Sequence, residues 1–183
     1  MDHYTLKLNL TGPVGNLLRK RHVLIVPENA VGNIYIGEKK HSYPEGIYRF
    51  IGGGVNEEET PVQAGVREIG EELGLHIDQS RLYPMAEVEI NASTPEQKFQ
   101  LITYMYHLIL KDTETLTPAD DISGVKEFRV SQIPDLVKRY NNLSGDLYVT
   151  NKGDIEYKHS WHDYGKIYGP IHQIAYGWLT QRT

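Results

Sequence analysis

The sequence predicts an α/β fold, because short strand patterns are mixed with a few helix patterns along the chain. Two segments carry most of this prediction. Val23–Val26 is a compact apolar run that ends at Pro27, which is typical of a buried strand. Ile47–Ile51 alternates as a strand does and runs into three glycines at positions 52–54, after which an amphipathic helix begins.

Both ends of that helix are marked in the sequence. Thr60 suits the N-cap, Pro61 suits the first turn, and Gln63 completes a capping box with Thr60. Leu73 followed by Gly74 predicts the end of the helix. The residues predicted to face the core are Val62, Val66, Ile69 and Leu73.

The later elements are predicted from the same patterns. A short helix is expected over Pro134–Tyr140, capped by Ser131. His159–Gly169 is expected to be an aromatic, polar loop, suited either to a lid or to a dimer contact, before a closing helix over Pro170–Gln181. The further strands, the last two forming a hairpin, are expected at Asn33–Ile36, Glu87–Ile90, Phe99–Leu110, Val125–Val130, Leu147–Thr150 and Ile155–Lys158.

Composition excludes several function classes. The chain has 183 residues and a formal net charge of −5, so it lacks the basic excess expected of a protein that binds nucleic-acid polymers or anionic membranes. It contains no cysteine, which excludes disulfides, thiolate metal sites and a cysteine nucleophile. No signal-peptide-like apolar run is present in the first twenty residues, and we expect a cytoplasmic protein.

Acidic residues cluster on the predicted helix. Glu71 and Glu72 follow Glu68 by three and four residues, and like charges at these spacings destabilise a helix by a few tenths of a kcal/mol per pair. Arg67 supplies a guanidinium, which we do not expect to neutralise three carboxylates. Mg²⁺ prefers carboxylate and carbonyl oxygens, so a metal site would explain the cluster. The alternative is an acidic helix face that is simply solvated.

The spacing of these residues resembles the Nudix box of the Nudix hydrolases. The match runs from Gly53 to Leu75: Gly53, five residues, Glu59, seven residues, Arg67-Glu68-Ile69, one residue, Glu71-Glu72, one residue, Gly74-Leu75. Every fixed position of the motif is filled. The resemblance implies an α/β/α sandwich with a central mixed β-sheet, in a single domain over residues 1–183. Residues 143–183 are the part that the resemblance covers least.

The resemblance also implies a reaction. Nudix enzymes hydrolyse the phosphoanhydride bond of a nucleoside diphosphate linked to another moiety, and they use Mg²⁺ or Mn²⁺ to do so. The expected binding partner is therefore a small-molecule nucleotide substrate. A homodimer is compatible with the family. The alternative function is a Nudix-fold module that binds or senses a nucleotide without turnover. The sequence feature expected of such a module is the loss of a box glutamate. A third possibility is an unrelated acidic structural domain.

Roles are implied for individual residues of the box. Glu68, Glu71 and Glu72 would hold the metal together with the backbone carbonyl of Gly53. Glu68 would also orient the attacking water as a base. Arg67 would orient the box glutamates, with Glu59 as its partner. The candidate catalytic residues are therefore Glu68, Glu71 and Arg67.

Substrate contacts are less defined. Arg49, Gly52 and Gly53 are the candidate substrate-binding residues; Arg49 either reaches a substrate phosphate or is a rim arginine without contacts. Outside the box, the carboxylates that could act as base are Glu96, Asp120, Asp121 and Glu127. The marks of known substrate subfamilies are not found at Ile90–Ala92, so the substrate is assigned only as a nucleoside di- or triphosphate derivative.

Overall fold

The computed structural model describes residues 1–15, 19–39, 43–120, 122–145, 147–152 and 155–182. The strands are β1 (Asp2–Asn9), β2 (Arg21–Glu28), β3 (Asn33–Lys39), β4 (Leu82–Ser93), β5 (Lys98–Ile109), β6 (Ile122–Arg129), β7 (Leu147–Lys152) and β8 (Ile155–Ser160). The helices are α1 (Pro61–Leu73), α2 (Ile133–Asn141) and α3 (Trp161–Thr180). Short 3₁₀ turns at Gln79–Arg81 and Val130–Gln132 precede β4 and α2.

A mixed sheet organises the fold. Its strand order is β1-β4-β5-β2-β3-β6, with β1 parallel to β4, β2 parallel to β5 and the other neighbours antiparallel. β7 and β8 form a separate antiparallel hairpin, as predicted. The predicted α/β class is confirmed.

The two faces of the sheet carry different helices. On β2, Val23 and Ile25 pack in the cluster that contains α1, whereas Leu24 and Val26 pack in the cluster that contains α2 and α3. This alternation is the period-2 geometry of a strand buried on both faces. The result is a three-layer α/β/α arrangement, with the core on both sides of β2.

The predicted limits of α1 are confirmed. Thr60 Oγ1 accepts a hydrogen bond from the Gln63 amide at 3.3 Å, and Gln63 Oε1 accepts one from the Thr60 amide at 2.8 Å. Gly74 ends the helix in a left-handed conformation with φ of 68°. Ile69 and Leu73 are buried as predicted, whereas Val62 and Val66 are only partly buried.

The C-terminal predictions were partly wrong. Residues His159–Gly169 are not a loop: β8 continues to Ser160, and α3 begins at Trp161. Pro170 lies inside α3 rather than at its start. Trp161, Tyr164 and Tyr168 are buried before the proline, and Ile171 is buried after it. Packing against the sheet therefore keeps this segment helical through the proline.

Smaller corrections concern other segments. β1 was not predicted; it is largely exposed at the sheet edge, which gives it no clear apolar pattern. Ile47–Ile51 forms only isolated bridges, Arg49 to Gly37 and Ile51 to Ile25. Ser131 does not cap α2, since it lies in the preceding 3₁₀ turn. None of the described helices has the length and apolar content needed to cross a membrane.

Candidate active site

The glycine turn is held against the start of β2 by backbone hydrogen bonds. The Val23 amide donates to Gly53 O at 2.9 Å, and the Val55 amide donates to Arg21 O at 3.1 Å. Gly52 has φ of 136°, and a Cβ there would overlap the carbonyl of Val23. Only glycine therefore fits this position, and its absence of a side chain lets the turn pack directly on the strand.

Glu68 lies against the same turn. A Cβ on Gly53 would overlap the Glu68 carboxylate, so the glycine allows this carboxylate to approach the backbone. The Glu68 residue is 7% exposed, and burial raises the pKa of its carboxyl above the usual value although Arg67 pulls it in the opposite direction. Glu68 is thus a buried acid whose ionised form is not fully compensated by the protein.

Glu72 is the second buried carboxylate. It is 2% exposed, and its Oε2 accepts a hydrogen bond from the Gly52 amide at 2.8 Å. Glu68 and Glu72 are four residues apart on α1, and each contacts one of two successive glycines. The solvated acidic helix face, one of the alternatives from the sequence, is therefore wrong for these two residues. Glu71 is more exposed, with 46% of its side chain accessible.

Arg67 connects the carboxylates to one another. Its guanidinium bonds Glu59 with two nitrogens, Nε to Oε2 at 3.2 Å and Nη2 to Oε1 at 2.7 Å. Nη1 also donates to Glu68 Oε1 at 2.8 Å and to Glu71 Oε2 at 2.9 Å, and Nη2 donates to Gly54 O at 2.8 Å. The predicted partner Glu59 is confirmed. Of the three carboxylates Glu68, Glu71 and Glu72, Arg67 contacts the first two, and its single positive charge is also shared with Glu59.

Arg49 points into the protein. Its residue is 8% exposed, Nη2 donates to Gly52 O at 2.6 Å, and the guanidinium lies 5.9 Å from the centre of the Tyr168 ring. The rim arginine without contacts is therefore wrong. Contact with a substrate phosphate stays a prediction. The inward direction of the Arg49 side chain depends on its contact with Tyr168 of α3, which is more than a hundred residues away in the sequence. Local sequence patterns do not reveal such a contact.

Two more features of the site come from distant parts of the chain. Arg21 Nη2 donates to Glu59 O at 3.3 Å, across 38 residues. The Ala119 amide donates to Glu72 O at 3.1 Å, which brings the segment before Asp120 to the end of α1. No sequence pattern predicts either contact, because each depends on how the elements pack.

The remaining carboxylates proposed as base lie in different places. Glu96 is exposed in the turn between β4 and β5, and Asp120 is exposed with a left-handed φ of 52°. Glu127 on β6 accepts hydrogen bonds from Asn29 and Asn33, at 3.0 and 2.6 Å. Asp121 lies outside the described residues.

The side chains of the site partly suit a divalent cation. Among the residues that the structure describes, no group of three or more His, Asp or Glu side chains is already arranged to hold a metal ion. Arg67 instead lies between Glu68 and Glu71. The donor chemistry still fits a hard cation, because Glu68 and Glu72 are buried carboxylates set against a glycine backbone.

Comparison with known proteins identifies the family. A family model described as NUDIX domain matches residues 18–148, which is more than half of the chain. The chain belongs to the Nudix family. The predicted resemblance is thereby confirmed, and the matched range includes the whole box and the glycine turn. No curated protein matches the sequence significantly.

Solved structures support the same fold. A MutT/nudix family protein from Enterococcus faecalis has a TM-score of 0.50 at 20% identity, covering 78% of this chain and 51% of that chain. The E. coli dihydroneopterin triphosphate pyrophosphohydrolase has a TM-score of 0.52 at 16% identity, covering 68% and 88%. The NUDIX domain of Shewanella oneidensis NrtR, complexed with ADP ribose, has a TM-score of 0.50 at 14% identity, covering 64% and 77%. This chain spans about half the length of the Enterococcus protein.

Proposed function

We propose that this Nudix protein is a metal-dependent hydrolase that cleaves the phosphoanhydride bond of a nucleoside diphosphate linked to another group. One observation carries the proposal: Glu68 and Glu72 are buried side by side against the glycine turn. Glu68 is paired with Arg67, but that single guanidinium is shared with Glu59 and Glu71, so a divalent cation would offset the negative charge that is left. A small nucleotide substrate is compatible with the related NUDIX domain of Shewanella oneidensis NrtR, which is complexed with ADP ribose.

Mg²⁺ or Mn²⁺ would be held by Glu68, Glu71 and Glu72, with help from the carbonyl of Gly53. That carbonyl already accepts the Val23 amide, but a carbonyl oxygen has a second lone pair. A divalent cation bound there would offset the repulsion between the carboxylates and the substrate phosphates, and it would lower the pKa of a bound water.

Side chains of the protein would position the carboxylates and accept the proton of the attacking water. Arg67 fixes Glu68 and Glu71 through Nη1, while its pairing with Glu59 fixes the guanidinium itself. Glu68 would be the base, because its buried carboxylate lies against Gly53, where we place the metal and the attacking water. A water oxygen forms a bond to one phosphorus, the bridging P–O bond breaks, Glu68 takes the water proton, and the bridging oxygen leaves on the other phosphate. Gly52, Gly53 and Arg49 line the side of the turn on which we place the substrate.

The test is phosphoanhydride hydrolysis measured over a panel of nucleotides with Mg²⁺. We expect E72Q to lower the rate by at least about 100-fold, the upper end of what losing a metal-site partner costs. The matched control is E58Q, because Glu58 is an exposed glutamate in the loop just before α1. Equal rates for E72Q and the parent protein, above a metal-free blank, would reject the proposal. Tight nucleotide binding without product in the parent would instead favour the sensing module.

A further inference from the structure

The segment that enters the glycine turn is held by the helices on the opposite face of the sheet from α1. Residues 47–51 pair with β2 and β3 through isolated bridges rather than through a ladder. Side chains of α2 and α3 contact three successive residues of this segment. The contacts are Tyr140 Oη donating to Tyr48 O at 2.6 Å, the Tyr168 ring centre 5.9 Å from the Arg49 guanidinium, and the His172 ring stacked on Phe50 with centroids 4.3 Å apart. The position of the segment therefore depends on α2 and α3.

Arg49 is the middle one of these three residues, and it connects α3 to the turn. Its residue is 8% exposed, and its Nη2 donates to Gly52 O at 2.6 Å. The Gly52 amide in turn donates to Glu72 Oε2 at 2.8 Å. Gly52 is thus bonded to the guanidinium through its carbonyl and to a carboxylate of α1 through its amide.

The backbone at Gly52 depends on such contacts for its direction. Three consecutive glycines occupy positions 52–54, and glycine has more backbone freedom to lose on folding than any other residue. Gly52 also has φ of 136°, a conformation that residues with a Cβ rarely adopt. Local preference therefore does not aim the Gly52 amide at Glu72, and the hydrogen bonds on both sides of this residue must do so.

The Tyr168 ring is itself fixed by its neighbours. Tyr168 is 1% exposed, and its ring centroid lies 4.3 Å from that of Tyr164 and 6.5 Å from that of Tyr140. A guanidinium over an aromatic face is attracted by the ring quadrupole, and more strongly where water is excluded. The ring therefore gives the buried Arg49 side chain a rigid and favourable surface.

This support comes from outside the part of the chain that carries the family signature. The matched range ends at residue 148, whereas α3 begins at Trp161. The motif that predicts the carboxylates therefore does not contain the ring that holds Arg49 behind the glycine turn.

We propose that Tyr168 is a positioning residue for the carboxylates of α1: its ring fixes Arg49, Arg49 fixes the Gly52 carbonyl, and the Gly52 amide fixes Glu72. The positioning of Glu72 is a property of the protein alone, whereas its consequence for Mg²⁺ rests on the proposed function. Tyr168 acts through Arg49 and is not a catalytic residue.

The first measurement is hydrogen–deuterium exchange of the Gly52 amide, followed by NMR in the metal-free protein. Its rate is taken relative to that of the Ile69 amide inside α1, so that a general loss of stability cancels. We expect Y168L, which keeps an apolar side chain but lacks the ring face, to raise this ratio about 10-fold. Y168F keeps the ring and should leave the ratio within twofold of the parent value.

The matched control is L179A, because Leu179 is also buried in α3 but lies about three turns beyond Tyr168. It should lower the melting temperature without changing the Gly52 ratio. R49K tests the same connection if Y168L does not fold, since lysine keeps the charge but lacks the planar group that lies over the ring. R49K should raise the ratio as Y168L does.

The second measurement is calorimetric titration with Mg²⁺ alone. We expect Y168L and R49K to bind Mg²⁺ about 10-fold more weakly than the parent protein, the lower end of what losing an outer-shell partner costs. Y168F and L179A should bind Mg²⁺ with the parent affinity.

The outcomes separate the two proposals. A parent-like Gly52 ratio in Y168L and R49K, an equal rise in L179A, or parent Mg²⁺ affinity in both Y168L and R49K would overturn the positioning role. A raised ratio in Y168L together with no Mg²⁺ binding to the parent protein would instead reject the metal-dependent function and leave the positioning of Glu72 standing.

Discussion

The helices α1 and α3 lie on opposite faces of the sheet and are determined in different ways. α1 has 13 residues; the Thr60 side chain caps its start, and Gly74 ends it in a left-handed conformation. α3 has 20 residues, continues through Pro170, and buries a row of aromatic and apolar side chains. Local sequence therefore determines the helix that carries the glutamate cluster, whereas long-range packing determines the helix that covers the opposite face. The experiments below test this difference, from the largest expected effect to the smallest.

The largest effect should come from His172, which is fully buried in α3. Its ring stacks on Phe50, with centroids 4.3 Å apart, and burial lowers its pKa to about 4. The unfolded chain titrates near about 6.5, so it binds more protons than the folded protein between these values. The free energy of unfolding should therefore fall as the pH decreases through this window, by about 3 kcal/mol in total.

Urea unfolding between pH 7 and pH 4 measures this slope. H172F keeps a ring at the position and should reduce the slope without abolishing it, because burial also lowers the pKa values of His159 and His107. H162Q, which alters an exposed histidine of the same helix, should keep the full slope. If H172F kept the same pH dependence of the free energy of unfolding as the parent protein, the assignment of this effect to His172 would be contradicted.

The next effect concerns the contact between α2 and α3. A Cβ on Gly165 would overlap the carbonyl of Tyr140, so G165A should destabilise the protein by about 1–3 kcal/mol. Gly177 lies in the same helix with nothing within 4 Å of its Cβ position, and G177A should stabilise by up to about 1 kcal/mol. Thermal unfolding compares the two alanine variants, and equal shifts would show that packing does not determine this part of α3.

Arg67 tests the charged side of α1. Lysine keeps the positive charge but lacks the planar fork that reaches Glu59, Glu68 and Glu71 together. We expect R67K to lower hydrolysis by about 10–100-fold. R139K is the control, since Arg139 is exposed and bonds only weakly to Gly46 O at 3.3 Å. Activity of R67K within twofold of the parent would contradict the positioning role.

The smallest effect tests local capping. T60A removes the cap of α1 and should cost about 1 kcal/mol of stability. S131A changes the residue that the sequence predicted as the cap of α2 but that makes no cap in the structure, and it should change stability by less than about 0.5 kcal/mol. Chemical denaturation of both variants decides whether capping in the structure, rather than residue type, governs stability.

The sequence was sufficient for the features whose causes are local. The capping box at Thr60, the end at Gly74 and the spacing of the glutamates all lie within one continuous stretch, and they predicted α1 and the family. The strand at Val23–Val26 was predicted for the same reason, because burial on both faces gives an unbroken apolar run.

Other features could not be predicted because they depend on tertiary contacts. Pro170 indicated a helix start, yet buried neighbours hold α3 together on both sides of it. The Arg49 side chain points inward because its guanidinium donates to Gly52 O and lies over the Tyr168 ring. A cavity lined in part by residues 11–15 and 94–97 joins segments about eighty residues apart, which the strand register brings together although no sequence motif marks them.

The central claim is that the carboxylates of α1 bind a divalent cation, and titration calorimetry with Mg²⁺ tests it most directly. The account predicts saturable binding to the parent protein and to E58Q, with affinity about 10–100-fold weaker in E72Q. Absence of binding to the parent protein, or equal affinity in E72Q and E58Q, would contradict it.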